Sequence, residues 1–170
     1  MNAQRKEEFL EVISRYQGIL HKVCLLYFHN EADRKDNFQE ILYQLWKAYP
    51  YLKNKGSIAS WIYRISINTS IARIRKESRF VNYEQMPETI DETDLLENVI
   101  KSEQSSRLLK ALKRLNDIDK SIMFLYLEGE SYEGIADIIG ISSSNVGTKI
   151  NRIKERLKKN LNPVNHGKQQ

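Results

Sequence analysis

Trp61, Arg64, Asn68 and Arg75 are spaced so that an α-helix would set an indole ring, an amide and two guanidinium groups along one line. Lys53 and Lys55 precede them in a polar, basic stretch. Such a row suits a single-stranded nucleic acid, since bases stack on an aromatic ring at roughly 1–3 kcal/mol each while the cations track phosphates. The alternative is an interior Trp61 with the arginines snorkelling past it. A second set, Ser143, Ser144, Asn145, Thr148, Lys149 and Arg152, joins short hydroxyl and amide side chains to two cations. The short groups allow close approach to base edges in duplex DNA, and the cations can reach guanine acceptors or phosphates. The nearest approach to a catalytic cluster is His21, Cys24 and His29. It lacks a placed acid and oxyanion donors, and its helical spacing is that of a half-buried surface, so no catalytic residue and no enzymatic activity are expected. A single cysteine cannot form an internal disulfide, and three scattered histidines have no metal-ligand spacing, so neither metal nor cofactor is expected.

These groups need helices to position them. Phe9, Val12, Ile13, Tyr16, Ile19, Leu20, Val23 and Tyr27 recur every three or four residues, the apolar stripe of one helix or of two meeting near Gly18. Phe38, Ile41, Leu42, Leu45, Trp46 and Tyr49 repeat the pattern in a second helix that must stop near Pro50. Asp36, Glu40, Tyr43 and Lys47 align on its other side, either as a solvated surface or as a docking face. A third helix is predicted over about 58–76, capped by Ser57 or Ser60. There Ile58, Ile62, Ile65 and Ala72 fall together and Ile67, Ile71 and Ile74 fall nearly opposite, which predicts packing on two sides.

Further on, Leu108, Leu109, Leu112 and Leu115 mark one helix, and Ile118, Ile122, Leu125 and Tyr126 another, with Asn116 or Asp117 to cap it and Gly129 to end it. Ser131 can cap a short helix with Tyr132, Ile135, Ala136 and Ile139 inward; Gly140 closes it. Ser142 can cap the last helix, where Val146, Ile150, Ile153 and Leu157 point inward and the second polar set points outward. A short capped helix, a glycine turn and a second helix with a basic outer face form a helix-turn-helix, whose second helix can enter the major groove.

Charge divides the chain. Phe80 to Ile100 holds six acids and no Lys or Arg, whereas Lys47 to Arg79 nets +7 and Ile141 to Gln170 nets +6. With 170 residues, 29% of them charged, only 7 Gly and 3 Pro, and no long apolar run, the expectation is an all-α chain that inserts into no membrane. It comprises two small helical domains, 1–79 and 103–163, joined by a flexible acidic linker, 80–102, and followed by a disordered tail, 164–170. The second domain is the helix-turn-helix. The opening residues Met1 to Val12 include acids where a signal peptide needs its apolar stretch, so no removable leader and a cytoplasmic location are expected.

At this level of detail the chain resembles the bacterial sigma factors of the extracytoplasmic-function group (group IV), two-domain initiation subunits of RNA polymerase. Asp36-Asn-Phe-Gln-Glu-Ile-Leu-Tyr-Gln-Leu-Trp46 is similar to the family's Asp-Leu-Val-Gln-Glu segment. Gly56 followed by Ser60-Trp-Ile-Tyr-Arg-Ile-Ser-Ile-Asn68 is similar to its Trp-Leu-Tyr-x-Ile-x-x-Asn signature. Leu115, Leu127 to Tyr132, Ile135-Ala136, Ile141-Ser142 and Val146 to Arg152 look like its minus-35-reading domain. Gly134 and Ala72 depart from the family's usual Glu and Asp.

The resemblance implies that Asp36, Gln39, Glu40 and Tyr43 contact core RNA polymerase. It implies that Lys53, Lys55, Trp61, Arg64, Asn68 and Arg75 melt and hold the minus-10 element, and that Ser143, Ser144, Asn145, Thr148, Lys149 and Arg152 read the minus-35 element. It implies core RNA polymerase, promoter DNA and a membrane-linked anti-sigma factor as partners, with the acidic linker running through polymerase surfaces that otherwise hold nucleic acid. The competing reading is a helix-turn-helix regulator that acts without replacing the sigma subunit. Regulators with a receiver domain alternate strands with helices and carry a phosphorylatable aspartate after an apolar strand; residues 1–79 show neither pattern.

Overall fold

The computed structural model describes residues 3–52, 57–80 and 102–161. Lys53, Lys55, most of the expected acidic linker and the expected tail lie outside the described residues. Among those described there are seven α-helices and no strand: α1 (Ala3–Tyr27), α2 (Glu31–Ala48), α3 (Ile58–Phe80), α4 (Glu103–Lys113), α5 (Asp117–Leu127), α6 (Tyr132–Ile139) and α7 (Ser143–Leu161). They belong to two compact units, Met1–Leu95 and Leu96–Gln170.

In the N-terminal unit α1 runs unbroken through Gly18 and packs on both α2 and α3. Asn30 caps α2 by accepting the Asp33 N–H at 2.8 Å. Its end comes where Pro50 requires it, in a 3₁₀ turn over Tyr49–Tyr51. Phe9, Leu20, Val23, Ile41, Leu45, Ile62 and Ile67 fill the core. The two stripes expected of α3 are corrected in detail. Its buried face runs between them, through Ile62, Tyr63, Ser66, Ile67, Ser70 and Ile71, and Ala72 is exposed. Two serines sit at the centre of that face because α1 and α2 both press on it and small side chains let them approach.

The C-terminal unit is organised around α5, buried from Lys120 to Leu125. Asn116 caps it at 2.9 Å, and Gly129 ends it at φ +86, with the Glu130 N–H returning to the Leu125 carbonyl. Ser131 caps α6 through the Gly134 N–H at 3.0 Å. Within α6 the buried residues are Ile135, Ala136 and Ile138, whereas the sequence pattern favoured Ile139 and Tyr132; Tyr132 is 38% exposed. Gly140 adopts φ +83, and the Ile141 N–H bonds back to the Ala136 carbonyl. Ser142 caps α7 through the Asn145 N–H at 3.2 Å. Val146, Ile150, Ile153 and Leu157 are buried. The helix-turn-helix is thus α6, a three-residue turn and α7.

Gly140 has open space where a Cβ would stand, so only its left-handed backbone penalises a side chain. Gly140→Ala is expected to destabilise the C-terminal unit by roughly 1–2 kcal/mol without altering its fold, as measured by urea denaturation followed by far-UV circular dichroism.

Candidate nucleic-acid interface

On α3 the face opposite the core carries Arg64, Asn68 and Arg75, all exposed. Trp61 lies between the two expectations: it is half-buried, its ring tilted at 6.4 Å from that of buried Tyr49. Tyr49 meets Phe9 edge-on at 5.3 Å, and Phe9 meets Trp46 at 5.1 Å, so the indole extends an aromatic chain that ties α1, α2 and the start of α3. One edge of Trp61 is therefore held by the core while part of the ring stays accessible. Ser57 sets this end of α3 by accepting the Ser60 N–H at 3.4 Å.

An open groove of about 1170 Å³ runs between α2 and α3. Asp36, Gln39 and Glu40 line its α2 wall; Arg64, Asn68, Ala72, Arg73 and Lys76 line its α3 wall. Residues that sequence reasoning assigned to two different partners thus face each other. Tyr43 stands outside the groove, 54% exposed, with the Lys47 ammonium 5.4 Å from its ring centroid. Trp61 and Arg75 are not part of the groove wall.

Arg73 joins the two walls, and the sequence pattern does not single it out. Its guanidinium bonds Glu77 at 2.6 Å and lies 3.5 Å from Asp33 and 3.6 Å from Asp36, over the ring of Phe28. Burial opposes its charge, but the hydrogen bond and charge of Glu77, with Asp33 and Asp36, outweigh this and raise its pKa. Beneath it, buried Asn37 donates to Ser70 Oγ at 2.8 Å and to Cys24 Sγ at 3.4 Å. Burial pushes the Cys24 thiol pKa up, against the Asn37 hydrogen bond and the charges of Arg34 and Arg73. His21 instead stacks on Phe38 at the surface, so Cys24 and His21 serve separate packing roles.

On α7, Ser143, Ser144, Asn145, Thr148 and Arg152 are exposed. Thr148 Oγ1 donates to the Ser144 carbonyl at 3.1 Å, and Ser144 Oγ lies 3.3 Å from Ser142 Oγ. Lys149, placed by the sequence pattern on the outward polar set, is half-buried, and its ammonium donates to Asp119 of α5 at 3.3 Å. Gly147 permits a close approach, since a Cβ there would stand 3.3 Å from the ring of Tyr132. Arg152 has no ion-pair or hydrogen-bond partner among the described residues.

Residues 12–80 match the model of sigma-70 region 2, and residues 105–157 that of sigma-70 region 4. The RNA polymerase sigma factor YlaC of Bacillus subtilis is 30% identical over 154 residues, spanning 86% of this chain and 87% of that protein. The ECF RNA polymerase sigma-E factor of Haemophilus influenzae is 25% identical over 171 residues, spanning 94% and 90%. The fold is similar to that of the sigma factor RpoE of Bartonella quintana, solved in complex with the anti-sigma factor NepR, with a TM-score of 0.66 at 22% identity, covering 95% of this chain and 98% of that one.

Trp46 and Trp61 are the chain's two tryptophans, so tryptophan fluorescence, excited where tyrosine does not absorb, reports on the N-terminal unit. Arg73→Ala is expected to lower that unit's stability by about 1–3 kcal/mol, as read from urea titration of this signal. Arg73→Lys should restore only part of the loss, because one ammonium cannot bridge three carboxylates with a guanidinium's fork geometry.

Proposed function

The chain belongs to the extracytoplasmic-function group of RNA polymerase sigma factors, and from that premise we propose how its two units divide the work. As a sigma factor it is a non-enzymatic subunit that binds core RNA polymerase and directs promoter recognition and opening. In the N-terminal unit the exposed side of α2, with Asp36, Gln39, Glu40 and Tyr43, holds core polymerase. Trp61, Arg64, Asn68 and Arg75 of α3, with Lys53 and Lys55 ahead of them, hold the opened minus-10 strand. In the C-terminal unit the start of α7 reads the minus-35 duplex through Ser143, Ser144, Asn145, Thr148 and Arg152. Lys149 belongs to the same face by position but is engaged by Asp119.

The observation that carries this reading is the pairing, in one chain, of a region-2 helix whose outer face is cationic and aromatic with a region-4 helix-turn-helix whose second helix exposes short polar groups. A regulator that left the sigma subunit in place would have no use for the region-2 match over residues 12–80. The acids between 80 and 100 support placing that segment along polymerase surfaces that otherwise hold nucleic acid. No described helix is long and apolar enough to cross a membrane. We place the protein in the cytoplasm with its polymerase, and assign it an anti-sigma partner by analogy with RpoE bound to NepR, membrane-linked as the family resemblance implies.

Two modest DNA contacts on one scaffold gain from effective concentration, so neither has to bind tightly alone. Reconstitution with core RNA polymerase is expected to yield initiation at a distinct promoter set by transcription-start mapping, while the free protein shifts promoter DNA poorly. Tight sequence-specific binding without core polymerase would overturn the reading. In the same assay Arg152→Ala is expected to weaken upstream recognition by roughly 1–3 kcal/mol with the fold intact. Trp61→Ala is expected to slow strand opening, followed by permanganate reactivity of unpaired thymines, more than it weakens polymerase recruitment. Loss of folding on Trp61→Ala would instead assign the indole wholly to the core.

A further inference from the structure

Helix α7 carries more positive charge than it presents. Its basic residues are Lys149, Arg152, Lys154, Arg156, Lys158 and Lys159, and three of them turn back on α5. Lys149 Nζ lies 3.3 Å from one carboxylate oxygen of Asp119, and an Arg156 nitrogen lies 3.8 Å from the other. On the opposite flank Lys154 donates to the Tyr126 hydroxyl at 2.7 Å and stands 4.2 Å from that ring's centroid.

Asp119 is not a loose surface partner. Only 13% of its side chain is exposed. Its backbone N–H donates to the Asn116 side-chain oxygen at 2.9 Å, while the Asn116 amide donates back to its carboxylate at 2.9 Å. This reciprocal cap fixes the carboxylate in the first turn of α5, where the unpaired amides of the helix start favour negative charge. A partly buried, pre-oriented carboxylate is screened less by salt than an exposed one. At 100° per residue, Lys149 and Arg156 share one flank of α7, roughly 70–90° from the mean direction of the buried line of Val146, Ile150, Ile153 and Leu157, and Asn145, Arg152 and Thr148 follow on the same side at roughly 110–170°.

We propose that Asp119 is a positioning residue for promoter recognition: it withholds Lys149 and Arg156 from the DNA phosphates and fixes the roll of α7, leaving discrimination to Arg152 and the short polar groups. The inference rests on the reading of α7 as the helix that meets the upstream duplex. Two free cations on that flank would add attraction to any duplex regardless of sequence. Held by Asp119, they keep sequence-independent affinity low while the base-facing residues keep their register. Asp119 therefore serves specificity, and Lys149 acts through it as one half of a latch.

The test uses holoenzyme reconstituted with core polymerase, measuring the salt dependence of binding to promoter duplex and to a duplex without promoter sequence. Asp119→Asn retains a side chain that can meet Asn116 but loses the charge. It is expected to steepen the slope of log K against log salt by about one to two units, near 0.9 for each additional phosphate neutralised. It should also raise non-promoter affinity about tenfold at low salt and lower promoter preference at least about threefold. Lys149→Met alone is expected to leave the slope unchanged, and added to Asp119→Asn to reverse about one unit of the change. An unchanged slope in Asp119→Asn, or a unit of slope lost in Lys149→Met alone, overturns the proposal. Arg152→Ala separates the two failures. If it weakens promoter binding while Asp119→Asn changes nothing, only the role of Asp119 is lost; if it has no effect, the assignment of α7 to the duplex falls and the latch falls with it.

Discussion

A helix that serves a protein core with one face and nucleic acid with the other has to confine its core contacts to part of its circumference, and both helices proposed for that role, α3 and α7, meet that constraint. In α7 the buried line is narrow: Val146, Ile150, Ile153 and Leu157 are all β-branched or γ-branched residues a turn apart, which leaves Ser143, Ser144, Asn145, Thr148 and Arg152 exposed. In α3 the core face is broad because α1 and α2 both pack on it. The cost of that breadth falls on Ser66 and Ser70, which are fully buried where larger side chains would hold the neighbouring helices away. Ser70 resolves its own polarity by donating to the Ser66 carbonyl at 2.8 Å and accepting from Asn37. A buried polar atom without a partner costs about 1–3 kcal/mol, and the network is only partly satisfied, since Ser66 Oγ and Asn37 Oδ1 have no hydrogen-bond partner among the described residues; the Asn37–Ser70 bond nonetheless ties α2 to α3 at a set rotation.

That rotation decides what the outer face presents. With Ile62, Ser66 and Ser70 inward, Arg64 and Asn68 look away from the core, and the intervening Ile65, Thr69 and Ala72 complete the α3 wall of the groove. Arg73 then spans to the acids of α2. The α2 surface assigned to polymerase and the α3 surface assigned to the opened strand are consequently joined by one guanidinium and three carboxylates.

The helices and caps were legible in the sequence because periodicity and capping chemistry are local. Pro50 stops α2, Asn116 and Ser142 start their helices, and Gly140 turns the chain, each for a reason carried by the residue itself. What was not legible depends on neighbours distant in sequence. Ser66 and Ser70 stand between the isoleucine stripes, and nothing in the sequence says that two helices converge on them. Arg73 read as one more cation in a basic block; its partners Asp33 and Asp36 lie on another helix. Ile138 displaced Ile139 from the core because the roll of so short a helix as α6 is set by α5 and α7 around it.

For Lys149, position on an amphipathic wheel gives the flank of α7 it occupies but not its partner, Asp119, which lies on another helix. The block from Ile141 to Gln170 nets +6 by counting charges. Counting pairs gives a smaller field at the start of α7, because the single carboxylate of Asp119 offsets one of the two charges that Lys149 and Arg156 bring to it and Glu155 offsets Lys158 at 3.1 Å, while Lys154 keeps its charge but is turned toward Tyr126. On the side of Asn145 and Thr148 the exposed cation is Arg152. A reading helix with one prominent guanidinium among short polar side chains binds weakly on its own and discriminates well when something else supplies the affinity. That is the electrostatic profile expected of a DNA-reading element whose grip comes from a larger assembly.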